Sequence, residues 1–152
     1  MEIAGNSYSI LNIGDKYFGV EIFGVREIIQ LPKFTKVPNT HKSIIGVFNL
    51  RGEIYSIIDL RVLIEMPANP VNNKNLVVLL RYESLNFGVI VDKVVDIVDI
   101  DPADLQQPDR DIPVSYKKFV SKYYKHDKLG NIYILNIAAL SSAEEIAGYR
   151  YR

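Results

Sequence analysis

The densest cluster of potentially reactive side chains in this sequence is a run of seven aspartates. Its members are Asp92, Asp96, Asp99, Asp101, Asp104, Asp109 and Asp111. Closely spaced carboxylates can bind calcium, and Asp99 with Asp101 could begin an EF-hand loop. Such a loop needs an oxygen ligand at its fifth position and glycine at its sixth, where this chain has Ala103 and Asp104. The run therefore predicts a solvated strand face and loop, and no metal site.

Other catalytic groups are scarce. The sequence contains no cysteine, which removes thiolate catalysis, disulfides and cysteine metal ligands together. The two histidines, His41 and His126, cannot form a metal-binding cluster by themselves. Neither a Gly-x-Ser-x-Gly elbow nor a glycine-rich phosphate loop occurs. We therefore expect a protein that is not an enzyme and that needs no cofactor.

A second cluster interleaves basic and aromatic side chains. Its members are Tyr116, Lys117, Lys118, Phe119, Lys122, Tyr123, Tyr124 and Lys125. Single-stranded nucleic acids bind to such surfaces, but a strand with inward-facing aromatics and solvated lysines gives the same pattern. The 18 basic residues are balanced by 18 acidic ones, so the chain has no wider positive footprint. The pattern favours an ordinary strand, and we expect no nucleic-acid partner.

Composition indicates a globular protein. The chain has 152 residues, of which 48% are hydrophobic and 24% charged, as in an ordinary soluble domain. Its longest aliphatic run, Leu76 to Leu80, is too short to cross a bilayer. The first residues lack the basic and apolar regions of a secretory signal. We therefore expect a cytoplasmic protein that does not insert into a membrane.

Short apolar segments separated by turn residues predict a chain made mainly of β-strands. The predicted hairpins pair Tyr8–Ile13 with Tyr17–Ile22, Leu76–Tyr82 with Phe87–Val94, and Val114–His126 with Ile132–Ile137. Two short helices are predicted, over Thr40 to Phe48 with Thr40 as N-cap and over Leu60 to Ile64. Phe23 to Ile29 fits either a helical turn or an irregular strand. This order of elements is typical of a small barrel or sandwich.

The central stretch of the chain is Ile44 to Arg61, IIGVFNLRGEIYSIIDLR. It places an Asn-Leu-Arg-Gly turn between two apolar segments, so Arg51 is presented at a turn. Gly46 and Gly52 are predicted to be structural turn glycines with positive φ. By its chemistry alone, Arg51 is a solvated turn arginine.

This stretch resembles a known family signature. GVFNLRGEIYSIIDLR is similar to the G-V-x-N-L-R-G-x-I-x-P-I-x-D-L-R pattern of CheW-type chemotaxis coupling domains. YSILNIGDKYFGVEIFGVREI resembles the opening hairpin of that family, and FGVIVDKVVDIVDI resembles a later strand pair. The similarity extends over roughly Tyr8 to Leu140. Ser56 and His41 stand where the family often has proline.

The resemblance implies an all-β fold and an adaptor function. The implied fold is two intertwined, five-stranded SH3-like barrels with a hydrophobic groove between them, which form a single domain over residues 1–152. The implied function is a non-enzymatic scaffold that couples chemoreceptor cytoplasmic tips to the histidine kinase CheA through its CheW-like regulatory domain. Val25, Glu27, Ile28 and Arg51 match family positions that take a receptor helix. The residues that contact the kinase stay unassigned.

Two alternatives remain open: a small β-barrel that binds nucleic acid or another ligand, and the CheW-like part of a CheA or CheV protein. A scaffold works through apolar patches with a few orienting charges, whereas a nucleic-acid barrel needs a contiguous positive face. Glu27 and Arg51, expected as isolated charges in apolar surroundings, favour the scaffold. Asp59 and Arg61 are expected to form a surface ion pair, which usually contributes less than about 1 kcal/mol.

Overall fold

The computed structural model describes residues 6–67, 69–110 and 112–143, and β-strands dominate them. The strands are β1 (Ser7–Ile13), β2 (Lys16–Glu21), β3 (Val25–Gln30), β4 (Ile44–Leu50), β5 (Glu53–Ile58), β6 (Leu76–Tyr82), β7 (Leu85–Val91), β8 (Lys93–Asp99), β9 (Val120–His126) and β10 (Gly130–Leu135). The α-helices are α1 (Leu60–Leu63), α2 (Val114–Lys117) and α3 (Ile137–Ser141), with single 3₁₀ turns at Ile22–Gly24 and Pro102–Asp104. The all-β prediction is confirmed.

The strands form two five-stranded sheets that exchange strands between the two halves of the chain. One sheet has the order β8-β1-β2-β10-β9, and the other has the order β3-β6-β7-β5-β4. Each sheet therefore combines a hairpin from one half of the chain with three strands from the other half. Because of this exchange, neither half of the chain supplies all five strands of a sheet. This confirms the intertwined arrangement.

A backbone bridge closes each sheet upon itself. In the second sheet the chain leaves β3 and returns along β4, where Thr35 and Val47 exchange two hydrogen bonds of 2.9 Å. In the first sheet the chain leaves β8, and Gln106 exchanges bonds of 2.8 and 3.0 Å with Tyr123 on β9. Since each bridge joins the two edges of its sheet, both sheets curl into barrels. We call them barrel 1, which contains β1, and barrel 2, which contains β4.

The two halves of the chain repeat one pattern. Phe18-Gly19-Val20 on β2 and Phe87-Gly88-Val89 on β7 occupy equivalent positions, since β2 pairs in parallel with β10 and β7 pairs in parallel with β5. The strands β5 and β10 then lead into helices with matching N-caps. Asp59 accepts a hydrogen bond from the Arg61 backbone, and Asn136 accepts one from Ala139.

The largest buried cluster joins the two barrels. It contains Phe18 and Val20 of barrel 1 together with Val78 and Phe87 of barrel 2, all of them fully buried. Two smaller clusters fill the barrels themselves, one around Ile10, Ile132 and Ile134 and the other around Phe48, Tyr55 and Ile57. The largest apolar cluster therefore lies between the barrels rather than inside either one.

Two of the predicted secondary-structure elements are wrong. Thr40 to Phe48 is not a helix, because Ile44–Leu50 pairs with β5 as strand β4 and the Thr40 hydroxyl donates to the Val37 carbonyl instead of capping a helix. Val114 to His126 is not one strand, because a helical turn follows Pro113 and the strand begins only at Val120. Short segments of this kind take their conformation from tertiary pairing more than from local propensity.

No helix among residues 6–67, 69–110 and 112–143 is long and apolar enough to cross a membrane. In the same ranges no group of three or more His, Cys, Asp or Glu side chains is placed to hold a metal ion. Asp111, the last member of the acidic run, lies outside the described residues.

Candidate functional site

The turn between β4 and β5 has an unusual backbone. Leu50 pairs with Glu53, so Arg51 and Gly52 form a two-residue turn with φ values of 52° and 87°. Two consecutive positive φ angles are typical of the hairpin turns that Asn-Gly usually fills. Gly52 therefore has the predicted conformation, and the Asn49 side chain accepts a hydrogen bond of 3.0 Å from its backbone N–H. Arg51 has the same left-handed conformation, which costs free energy in a residue with a Cβ atom.

Gly46 has a different role from the predicted one. It lies inside β4 and does not have a positive φ. A Cβ atom at this position would lie 2.6 Å from the Phe34 ring and 2.6 Å from the Thr35 carbonyl oxygen. Gly46 is therefore required by the close approach of the segment that closes barrel 2, and not by a turn.

Arg51 and Glu27 form an ion pair across the seam of barrel 2. The Arg51 Nη1 and Nη2 atoms donate to the two Glu27 carboxylate oxygens at 2.7 and 3.4 Å. The expectation of two isolated charges is thus wrong, because each is the partner of the other. The hydrogen bond from Arg51 lowers the pKa of the Glu27 carboxyl below its ordinary value, and the same bond raises the pKa of Arg51. The Arg51 side chain still exposes 72% of its surface, against 37% for Glu27.

A second ion pair lies beside the first. Arg26 Nη1 lies 3.2 Å from Glu53 Oε2, and Asn86 Nδ2 donates to the same oxygen at 2.5 Å. Arg26 is the extra residue of a β-bulge, because Val25 pairs with Leu80 while Glu27 already pairs with Leu79. The local sequence pattern does not predict this cluster, since its members come from three strands and nothing in that pattern indicates a bulge.

Val25 and Ile28 supply the apolar part of the predicted receptor site. Val25 pairs with Leu80 and Ile28 pairs with Val78, and both of these partners belong to the core between the barrels. Val25 is half-buried against that core, whereas Ile28 remains 39% exposed. The structure therefore places Val25, Glu27 and Ile28 on edge strand β3, and Arg51 on the turn that contacts this strand through Glu27.

A groove of about 560 Å³ lies where the two barrels meet. Its lining combines exposed aromatic side chains, Phe23 and Tyr82, with three charged ones, Glu21, Arg81 and Lys122. The groove is thus mixed in character rather than purely hydrophobic. None of the four predicted receptor-binding residues lines it, although Phe23 and its neighbour in the 3₁₀ turn directly precede β3.

Asp59 and Arg61, at the end of the central stretch, form a buried ion pair within the fold. Asp59 and Arg61 are each only 6% exposed, so the expected surface ion pair is in fact a buried one. Arg61 Nε and Nη2 donate to the two Asp59 oxygens at 3.0 and 2.9 Å, and Nη2 also donates to the Asn69 carbonyl at 2.9 Å. The hydrogen bond to Asp59 raises the pKa of Arg61. The pair thereby fixes the start of α1 and the loop that follows it.

The aromatic residues of the basic stretch pack inward. Tyr116, Phe119 and Tyr123 are buried, and the Tyr123 hydroxyl donates to Gln106 at 2.9 Å. Stacking on single-stranded nucleic acid needs exposed rings. The stretch therefore has no exposed ring at these three positions on which a base could stack.

Comparison with known proteins assigns the chain to a protein family. A profile described as "CheW-like domain" matches residues 7–145. The chain belongs to the CheW-like domain family. It is 33% identical over 99 residues to the chemotaxis protein CheW of Klebsiella aerogenes, an alignment that spans 65% of this chain and 60% of that protein, less than two thirds of its length.

Two further comparisons extend over more of the CheW-like domain. The chain is 25% identical over 122 residues to the chemotaxis protein CheW of Bacillus subtilis, with 78% of each protein covered. The crystal structure of the scaffolding protein TtCheW from Thermoanaerobacter tengcongensis matches with a TM-score of 0.83 and 24% identity. That match covers 95% of this chain and 92% of TtCheW, which shows that the two share the fold with intertwined barrels.

Proposed function

We propose that this CheW-like domain is a non-enzymatic adaptor that couples the cytoplasmic tips of chemoreceptors to the histidine kinase CheA. Family membership supports this function, as do the chemotaxis and scaffolding names of the similar proteins. The observation that carries it is the placement of Arg51, whose long side chain extends from a left-handed turn position and pairs with Glu27, next to exposed Ile28 on β3. The adaptor acts in the cytoplasm, in receptor arrays at the inner membrane.

The receptor site consists of Val25, Glu27, Ile28 and Arg51. A bound helix needs apolar anchors and a charge that fixes its orientation. Ile28 and the exposed part of Val25 supply the anchors, and the exposed guanidinium of Arg51 supplies the charge. Glu27 holds that guanidinium from one side and leaves its other donors for an acceptor on the receptor helix.

The kinase contact lies on a separate surface, because an adaptor must hold both partners at once. Its partner is the CheW-like regulatory domain of CheA, and a barrel end is the natural place for a barrel to dock. The two barrels share one core, so we also infer that residues 1–152 act as a single domain, although residues 1–5 and 144–152 lie outside the described part of the chain.

The receptor site is tested by Arg51→Asn. Asparagine tolerates the left-handed conformation, so we expect the free energy of unfolding to stay the same or to rise slightly. Affinity for a receptor-tip helical hairpin should fall by at least about tenfold, as for a central contact residue. Titration calorimetry and denaturant unfolding measure the two quantities, and Lys125→Gln, an exposed change on barrel 1, is the control. A folded variant with unchanged affinity would remove Arg51 from the site.

A further inference from the structure

Two adjacent residues of β3 reach the same turn. In a regular strand neighbouring side chains point to opposite faces, so Arg26 and Glu27 could not both pair with one loop. The bulge at Arg26 removes this restriction. Arg26 therefore reaches Glu53 while Glu27 reaches Arg51, and two ion pairs of opposite polarity fasten β3 to the β4–β5 turn.

The Arg26 pair is the better anchored of the two. Glu53 Oε2 accepts hydrogen bonds from both Arg26 Nη1, at 3.2 Å, and Asn86 Nδ2, at 2.5 Å. Arg26 Nη1 also lies 3.5 Å from Asn86 Oδ1, so the three side chains form a closed triangle. Asn86 belongs to β7 and is half-buried, which ties the triangle to the interior of barrel 2. Among the side chains of the described residues, Arg51 hydrogen-bonds to the Glu27 carboxylate alone.

Glu53 directly follows the turn. Fixing its side chain fixes one end of the Arg51-Gly52 segment, whose left-handed backbone costs free energy at Arg51. An exposed ion pair is a weak restraint in water, because its attraction is screened and two long side chains must be ordered. As isolated pairs, both ion pairs are weak restraints on the turn, since the Arg26 and Glu53 side chains are also 38% and 43% exposed. The Arg26 pair differs because Asn86 hydrogen-bonds to it as a third member.

We propose that Arg26, Glu53 and Asn86 are positioning residues that hold the β4–β5 turn against β3, so that Arg51 is already in place when a partner binds. This inference deepens the proposed function and rests on it for the identity of the partner. Preorganisation increases affinity because less conformational freedom is lost on binding. The triangle acts through Arg51 and needs no contact with the partner itself.

A charge exchange tests the positioning role. Arg26→Glu and Glu53→Arg each place like charges together, whereas the double variant restores an opposite pair with reversed polarity. We expect each single change to weaken binding of a receptor-tip hairpin by about tenfold, and the double change to return it to within about twofold of wild type. Lys125→Glu, on barrel 1, is the matched control and should bind like wild type.

The turn itself supplies a second readout that needs no partner. NMR order parameters of the Arg51 and Gly52 amides should drop from the rigid range to below about 0.6 in both single variants. They should recover in the double variant and stay unchanged in Lys125→Glu. The melting temperature of each variant is measured in parallel, because it reports a global loss of stability that order parameters of the folded state do not detect.

The outcomes separate the two claims. If the turn loosens and recovers as expected but wild type binds no receptor hairpin, the positioning role stands and the proposed partner is wrong. If both single variants keep a rigid turn, the positioning role is overturned, whatever the affinities are. If the double variant recovers its rigid turn but not its affinity, Arg26 or Glu53 contacts the partner directly, which also overturns the inference.

Discussion

Arg51 combines an unfavourable backbone conformation with a mostly exposed side chain. Glycine or asparagine would fit its left-handed backbone better, and its side chain is mostly exposed. The sequence predicted the turn and the conformation of Gly52, because an Asn-Leu-Arg-Gly segment between apolar runs carries that information. It could not predict the partner of Arg51, since Glu27 lies on a distant strand that reaches the turn only when the barrel closes.

The same pair gives a pH prediction. Because Arg51 lowers the pKa of Glu27, the pairing is complete above the ordinary glutamate value of 4.5 and is lost as the pH falls through the lower folded value. We expect the pKa of the Glu27 carboxyl to lie below its ordinary value in wild type and to be higher in Arg51→Asn than in wild type. Carbon-detected NMR titration of the side chains measures both. Identical titration curves would show that the ion pair does not form in solution.

Asp59 and Arg61 illustrate a limit of local sequence reading. A D-x-R spacing looks the same whether the pair is exposed or buried, and only the packed structure shows that both side chains lie beneath the loop after α1. Removing one partner leaves an uncompensated buried charge. Arg61→Ala should therefore lower the free energy of unfolding by about 3–5 kcal/mol.

Denaturant unfolding measures that loss, with Arg81→Ala as the control because Arg81 is exposed. A loss below about 1 kcal/mol would mean that the Asp59–Arg61 pair behaves as an exposed one.

The hairpins follow from local sequence more directly than the segments that join them. The strands β1, β2, β6 and β7 follow from alternating or dense β-branched sequence, which local pattern records. The local pattern predicts a helix at β4, because the segment before it looks like a helix N-cap and its pairing with Thr35 comes from a separate segment. The closure of each barrel was likewise beyond local pattern, since it depends on one isolated bridge.

Barrel closure at β4 predicts a difference between two glycines. In Gly46→Ala the new methyl group would collide with the Thr35 carbonyl, so stability should fall by about 1–3 kcal/mol. In Gly52→Ala the methyl group would meet open space, and only the cost of positive φ remains, about 1 kcal/mol. Thermal and denaturant unfolding of both variants measure the two losses. A larger loss at Gly52 would show that the turn, and not the approach of Thr35, is the tighter constraint.

The core that the two barrels share predicts cooperative unfolding of the whole domain. Phe18 of barrel 1 and Phe87 of barrel 2 lie in the same buried cluster, and each barrel takes strands from both halves of the chain. Native-state hydrogen exchange should therefore give one common free energy of opening for the slowest amides of β2 and β7. Two clearly different values would mean that the barrels unfold separately. The family resemblance implied this arrangement, whereas composition and periodicity alone indicated only a small barrel or sandwich.

The proposed adaptor holds a receptor and a kinase at the same time on separate surfaces. The most direct test is competition on an immobilised CheA regulatory domain that has been loaded with this protein and is then exposed to excess receptor-tip hairpin. We expect the hairpin to add to the complex while the protein stays bound to the kinase domain, whereas Arg51→Asn should stay bound without recruiting the hairpin. Release of the protein in proportion to added hairpin would show one shared surface and would contradict the adaptor mechanism.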